Sequence, residues 1–369
     1  MADQLKELIK LFSRLGITAF GGPAAHIAMM RHEVVSKKQW MDNSQFMNLV
    51  GLTNLIPGPN STELAIHIGK DRAGWRGLLA AGACFILPAV LITGCIAWLY
   101  KKYGTLPQVE PFIYGIRPAI IAVIVMAVYP LAKASVKNYK LAIIGVLALV
   151  LAFIGLQEIL VMFGLGLVYM LYSHLTINKN LVSILPILSL MPEKIISNTG
   201  LFLIFLKIGA ILYGSGYVLF AFVDEELVMR GILSRQQLMD AISVGQFTPG
   251  PVFSSVTFIG YQVNGFMGAV AATLGVFIPS FVFVALLNRF KDKLMGSKLF
   301  ASFLDAVNVA SVAVIAVVCW QMGQESITNW QTISIAIASF ILLLAKPRLN
   351  SAYIVLFGSI AGYLFSIVL

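Results

Sequence analysis

Two short stretches of this chain carry the same break with polar side chains behind it. Pro57-Gly58-Pro59 is followed at once by Asn60, Ser61, Thr62 and Glu63, and Pro249-Gly250-Pro251 is followed by Ser254, Ser255 and Thr257. Proline lacks an N–H and its fixed φ suits a helix start, so each triplet should open a half-helix. The unbonded N–H groups and positive dipole end of such a start suit an anion, and the hydroxyls add neutral donors. Asn54 and Gln246, just ahead of the triplets, join them as candidate binding residues. A purely structural reading competes: Asn60 and Glu63 have the spacing of an N-cap and its N3 partner. Occurring twice, the break favours a ligand site.

A second constellation lies further upstream. Phe20-Gly21-Gly22-Pro23 and Tyr213-Gly214-Ser215-Gly216 each interrupt an apolar segment. Their glycines permit close helix approach or expose backbone to a cavity. Arg14 and Lys207 stand two turns before Gly21 and Gly214. A cation in apolar surroundings marks a pathway or an ion pair, and snorkelling to the interface is the bland alternative. The candidate proton carriers are His26, Glu33, Glu63 and Glu226. A carboxylate beside an anion site repels a dianion unless protonated, which would couple anion to proton.

The elements that must hold these groups are membrane helices. Hydrophobic residues make up 59% of the 369 and charged residues 11%, against ~25% charged in a soluble domain. Runs such as Gly77–Tyr100, Leu141–Gly155, Phe266–Leu287 and Ser351–Leu369 approach or exceed the ~20 residues that span a bilayer. The fold class expected is an all-α polytopic membrane protein. Met1–Arg14 is charged and amphipathic, so no cleavable signal is expected. The net charge of +10 fits basic loops rather than nucleic acid. Cys84, Cys95 and Cys319 lie in apolar runs as expected buried thiols. The histidine and cysteine spacings suggest neither metal nor cofactor.

The chain also repeats itself. Leu15 to Gly22 parallels Ile208 to Ser215, with Arg14 opposite Lys207 and Glu33 opposite Glu226. The Pro-Gly-Pro triplets match, then Gly69 with Gly260, Gly74 with Gly265, Gly77 with Gly268 and Pro88 with Pro279. Two single-residue gaps keep the whole stretch in register. The division predicted is a first repeat over 1–176, a linker over 177–199 and a second repeat over 200–369. Loops flanking the first triplet are basic (Arg31, Lys37, Lys38; Lys70, Arg72, Arg76), while the matching loops of the second half are acidic or nearly neutral. Under the positive-inside rule, each triplet sits in a re-entrant hairpin with its half-helix ending near Gly69 or its counterpart. That leaves about five crossings per half and an inverted second half. Lys101, Lys102 and the basic N-terminus fit this scheme poorly.

At these residues the chain resembles the chromate ion transporter family in its long, two-domain form. The matching residues are Phe12-Ser13-Arg14-Leu15-Gly16, Phe20-Gly21-Gly22-Pro23, His26, Arg31, Glu33, Trp40 and Pro57-Gly58-Pro59 in the first half. In the second they are Phe205-Leu206-Lys207-Ile208-Gly209, Gly216-Tyr217, Glu226, Gln246, Pro249-Gly250-Pro251 and Phe258-Ile259-Gly260-Tyr261. Asn54 departs from the Gln usual there, as do Tyr213 and Ser215 from Phe-Gly-Gly. The resemblance implies a plasma-membrane transporter, not an enzyme, that exports chromate on the membrane potential or proton gradient. Sulfate or another small anion is the alternative substrate. The partners implied are the oxyanion and the lipid bilayer, and a homodimer is compatible with both.

Overall fold

The computed structural model describes residues 2–20, 22–104, 106–175, 196–214, 216–295, 297–346 and 349–368. The expected linker over 177–199 lies largely outside them. In the first half α1 (Ala2–Thr18) stops before the Phe20-Gly21-Gly22 break, and α2 (Pro23–Arg31) runs on into a π-helical turn, His32–Lys37. Then come α3 (Asn43–Thr53), α4 (Asn60–Tyr103), α5 (Glu110–Ser135), α6 (Tyr139–Phe153) and α7 (Glu158–Leu175). The second half follows the same order. It runs α8 (Asn198–Ile211), α9 (Val218–Val223) with a π-helical turn, α10 (Arg235–Phe247), α11 (Ser255–Met295), α12 (Lys298–Ser326), α13 (Trp330–Ala345) and α14 (Ser351–Val368).

The copies share their local signals. Asp42 and Ser234 each open a capping box with the glutamine three residues on, Gln45 and Gln237, so α3 and α10 start alike. Asn138 and Asn329 cap α6 and α13. Such caps contribute ~1 kcal/mol each.

The long helices α4 and α11 are hairpins. Ala73-Gly74 and Asn264-Gly265 leave helical geometry, with φ +59° at Gly74 and +63° at Gly265. The chain then doubles back, bringing Gly69 onto the Gly77 carbonyl and Gly260 onto the Gly268 carbonyl. The half-helix expected to end near Gly69 therefore continues to the Ala73-Gly74 turn. Gly69 serves the close approach of the two arms instead, because backbone contact leaves no room for a Cβ.

The halves interlock. α5 packs on α13 and α14, and its counterpart α12 packs on α6 and α7. α5 and α12 also touch each other: Ile121 lies by Gly323 at one end and Lys137 pairs with Asp305 at the other. Repeat-equivalent helices therefore run antiparallel, the relation that inverted repeats require.

Among the described residues, four helices are long and apolar enough to cross a bilayer alone, in α4, α5, the Val252–Leu287 stretch and α12, with five shorter apolar helices beside them. Outward faces are apolar, for example Leu91, Val146, Phe153, Ile341 and Leu364, as lipid contact requires. Cys95, expected to be buried, is exposed on such a face of α4.

Gly69→Ala is expected to destabilise the protein by about 1–3 kcal/mol, since the new methyl meets rigid backbone. Gly51→Ala in α3, where nothing lies within 4 Å of the added carbon, should be neutral or stabilising. Thermal unfolding of detergent-solubilised protein distinguishes the two.

Candidate functional site

Both triplets end up at the junction of the halves. The Gly58 N–H donates to the Leu212 carbonyl at 2.8 Å, and the Gly250 N–H donates to the Ala19 carbonyl at 2.8 Å. Leu212 and Ala19 are themselves repeat equivalents. Each re-entrant tip is thus pinned to the broken end of the other half's first helix. Both glycines hold positive φ, +134° and +86°.

Behind the first triplet, Pro59 is the N-cap of α4, and its carbonyl accepts from the Thr62 and Glu63 N–H groups. The capping-box alternative is not realised. Asn60 is the first helical residue, its side chain donates to Asn54 Oδ1 at 2.8 Å, and the Glu63 carboxylate does not fold back.

A cavity of about 490 Å³ with a mixed polar and apolar lining opens on this helix start, within the ~300–1,000 Å³ range of small-molecule sites. Its wall takes Asn54 and Asn60 from the break, Tyr213 and Gly214 from the other half's break, and Asn308 and Ser311 from α12. Lys137 and Asp305, paired at 2.6 Å, also line it. Amide, hydroxyl and helix-start N–H groups can together replace the hydration of a small oxyanion without fixing a full positive charge on it.

Of the residues expected to bind, the structure brings Asn54, Asn60 and Gly214 to this cavity. Ser61, Thr62, Ser254 and Ser255 do not line it and are all buried, with Ser254 against Thr93 at 3.3 Å. Gln246 is held by Tyr217 and Ser351. Gly22 is the N-cap of α2, and Gly21 lies outside the described residues.

Arg14 and Lys207 stand apart from the cavity in matching ion pairs, Arg14 with Glu33 and Lys207 with Glu226, each at 2.6 Å. Arg230 also binds Glu226. Glu33 and Glu226 are thus salt-bridge partners. His26 is buried; its Nε2 sits 3.2 Å from the Ala19 carbonyl and its Nδ1 3.4 Å from Ser61 Oγ. Glu63 is fully buried behind Gly58 with the Ser280 hydroxyl facing it, yet neither of its oxygens reaches hydrogen-bond geometry.

Sequence reasoning missed the α12 wall. Ser302, Asp305, Asn308 and Ser311 recur at helical spacing in an otherwise apolar helix, a polar stripe that could have been read. It also missed Arg117, the repeat equivalent of Asn308 on α5. Arg117 binds Asp240 of α10 through two bonds of 3.0 and 2.9 Å, and Tyr100 donates to the same carboxylate at 2.6 Å. A second, apolar cavity of about 410 Å³ lies against Asp240 and Tyr100, with Phe247, just ahead of the second triplet, on its wall.

A family profile described as "Chromate transporter" matches residues 6–170 and again 199–363. The chain belongs to the chromate transporter family. A chromate transport protein of Cupriavidus metallidurans is 30% identical over 97% of this chain and 92% of its own length. A probable chromate transport protein of Synechococcus elongatus is 29% identical, covering 99% and 96%. An uncharacterized transporter of Bacillus subtilis is 28% identical over 45% of this chain and 84% of its own, a relative of about one half. No solved structure matches the chain.

Asn60→Ala and Asn308→Ala are each expected to raise KM for the transported anion about tenfold or more, the worth of one hydrogen bond to a charged group. Initial transport rates at matched protein amounts check this. Arg117→Ala strands a buried carboxylate and should lower stability by about 3–5 kcal/mol. By contrast Lys137→Ala, in an exposed pair, should cost under about 1 kcal/mol; detergent unfolding curves compare them.

Proposed function

We propose that this chain is a secondary transporter of a tetrahedral oxyanion in the cell membrane, with chromate as substrate and export as its direction. The observation that carries the reading is the half-helix start at Asn60 opening on a partly polar cavity, in a chain of this family. The curated relatives named for chromate transport match it nearly end to end, which supports the same substrate class. Asn54, Asn60, Asn308 and Ser311 are the anion's proposed first contacts. Arg14 and Lys207 are each engaged by a carboxylate, so their proposed part is to raise the potential of the route rather than to grip the anion. The sequence holds no nucleotide-binding P-loop, so the membrane potential or the proton gradient is the proposed energy source. Sulfate presents the same tetrahedral face to the same donors and is the alternative substrate.

Purified protein in proteoliposomes, with potential and pH gradient imposed separately, tests the reading. Labelled chromate should accumulate under at least one of the two, with sulfate competing. Chromate flux no greater than in protein-free vesicles would overturn it, and sulfate flux without chromate flux would select the alternative.

A further inference from the structure

The buried groups least explained by the anion cavity lie along one face of the half-helix that begins at Asn60. Glu63, His67 and Lys70 stand at i, i+4 and i+7, a single stripe on a helix. Glu63 is 0% and His67 1% exposed. Among the described residues the His67 Nε2 lacks a hydrogen-bond partner, and the Glu63 carboxylate is faced by the Ser280 hydroxyl without good hydrogen-bond geometry. Lys70, half-buried at the outer end, donates to the Val284 and Ala285 carbonyls at 3.0 Å each. The stripe then meets the exposed turn at Gly74. A buried, unpartnered carboxylate is costly, and inside a membrane protein it marks an ion or proton pathway.

The second half supplies the control. A Cβ on Gly58 would stand 2.8 Å from Ser280 Oγ, and one on Gly250 would stand 2.8 Å from the Ala89 methyl. Ser280 and Ala89 are repeat equivalents. Ser254 and Ser255 occupy the turn that holds Glu63, while Phe258 takes the place of His67 and Tyr261 that of Lys70. The second copy, which enters its hairpin through a 3-10 turn over Val252–Ser254, therefore folds without any titratable stripe. Packing alone does not call for Glu63 and His67.

Few other ionisable groups face the stripe. His26 approaches from α2 through Ser61. Tyr213, on the cavity wall, lies within electrostatic reach of Glu63. Asp71 stands beside Lys70, and the Arg72–Glu7 pair ties the outer end to α1. From α11, Ser280 faces it without charge.

We infer that Glu63 and His67 form a one-sided proton path between the surface at Lys70 and the anion cavity, so that one proton travels with each anion. This rests on the transporter reading and names the coupling ion of that site. Cβ atoms one helical turn apart are ~5–6 Å from each other, so a side-chain rotation can pass the proton from His67 to Glu63. A protonated Glu63 no longer opposes a dianion entering past Tyr213. Chromate with one proton carries a net charge of about −1, so an inside-negative potential still drives export while an inward proton gradient resists it.

The test uses the full chain in proteoliposomes, potential clamped, with a luminal pH dye and two assays: chromate counterflow at equal pH, and accumulation driven by acid outside. The wild type should show both, with proton entry in the second. Glu63→Gln should keep counterflow but lose pH-driven accumulation and the proton signal, and Glu63→Asp should restore them. His67→Phe, the residue of the second copy, should slow only the pH-driven mode. Undiminished pH-driven accumulation in Glu63→Gln would overturn the path, as would a sodium gradient replacing the pH gradient. Loss of both modes together in folded Glu63→Gln and His67→Phe would reduce the stripe to a structural role. Absence of counterflow in the wild type would instead overturn the transporter reading itself.

Discussion

The fold depends on two backbone hydrogen bonds, Gly58 N–H to the Leu212 carbonyl and Gly250 N–H to the Ala19 carbonyl. Inside a bilayer every backbone polar group needs a partner from the protein. The breaks after α1 and α8 leave terminal carbonyls without helical donors, and the two triplets leave a glycine N–H between prolines that have none. Each half holds one orphan donor and one orphan acceptor, and the other half supplies the complement. Neither half is closed on its own. The pairing sets both re-entrant tips at one junction, and so decides where irregular backbone can meet a substrate.

The larger packing follows the same exchange. α5 reaches across to α13 and α14 while α12 reaches back to α6 and α7, so the copies are clasped rather than stacked. Close glycine contacts hold the clasp, with Gly115 of α5 against Gly358 and Gly362 of α14. With lipid outside as apolar as the side chains, such fit replaces the hydrophobic effect as the source of helix association. The antiparallel α5 and α12 place Arg117 beside one triplet's helix and Asn308 beside the other's cavity. One helix, copied and inverted, thus lines two different environments.

Much of this was legible in the residues. Glycine and proline in step over a long register disclosed the duplication, and loop charge disclosed its inversion, because both constraints act locally on the chain. The helix breaks were equally plain, since Pro57 and Pro59 remove donors wherever they fold. The cavity wall was not. Asn308 and Ser311 come from a helix some 250 residues beyond Asn60, and only the clasp of the halves joins them. Arg14 and Glu33 looked like separate candidates because a pair closed through space leaves no mark in spacing.

Duplication also separates scaffold from chemistry. Both copies retain the triplets, the capping boxes, the glycine hairpins and the paired cation and carboxylate of Arg14–Glu33 and Lys207–Glu226. Among what differs are places that face the junction: Asn60 against Val252, Asn308 against Arg117, Ser280 against Ala89. A two-fold arrangement with identical groups would present an anion with two equivalent half-sites. Here one side is a partly polar cavity, and the other carries the Arg117–Asp240–Tyr100 trio beside an apolar one. The asymmetry lies in these side chains and in the helix start itself, α-helical from Asn60 in one copy and a 3-10 turn over Val252–Ser254 in the other.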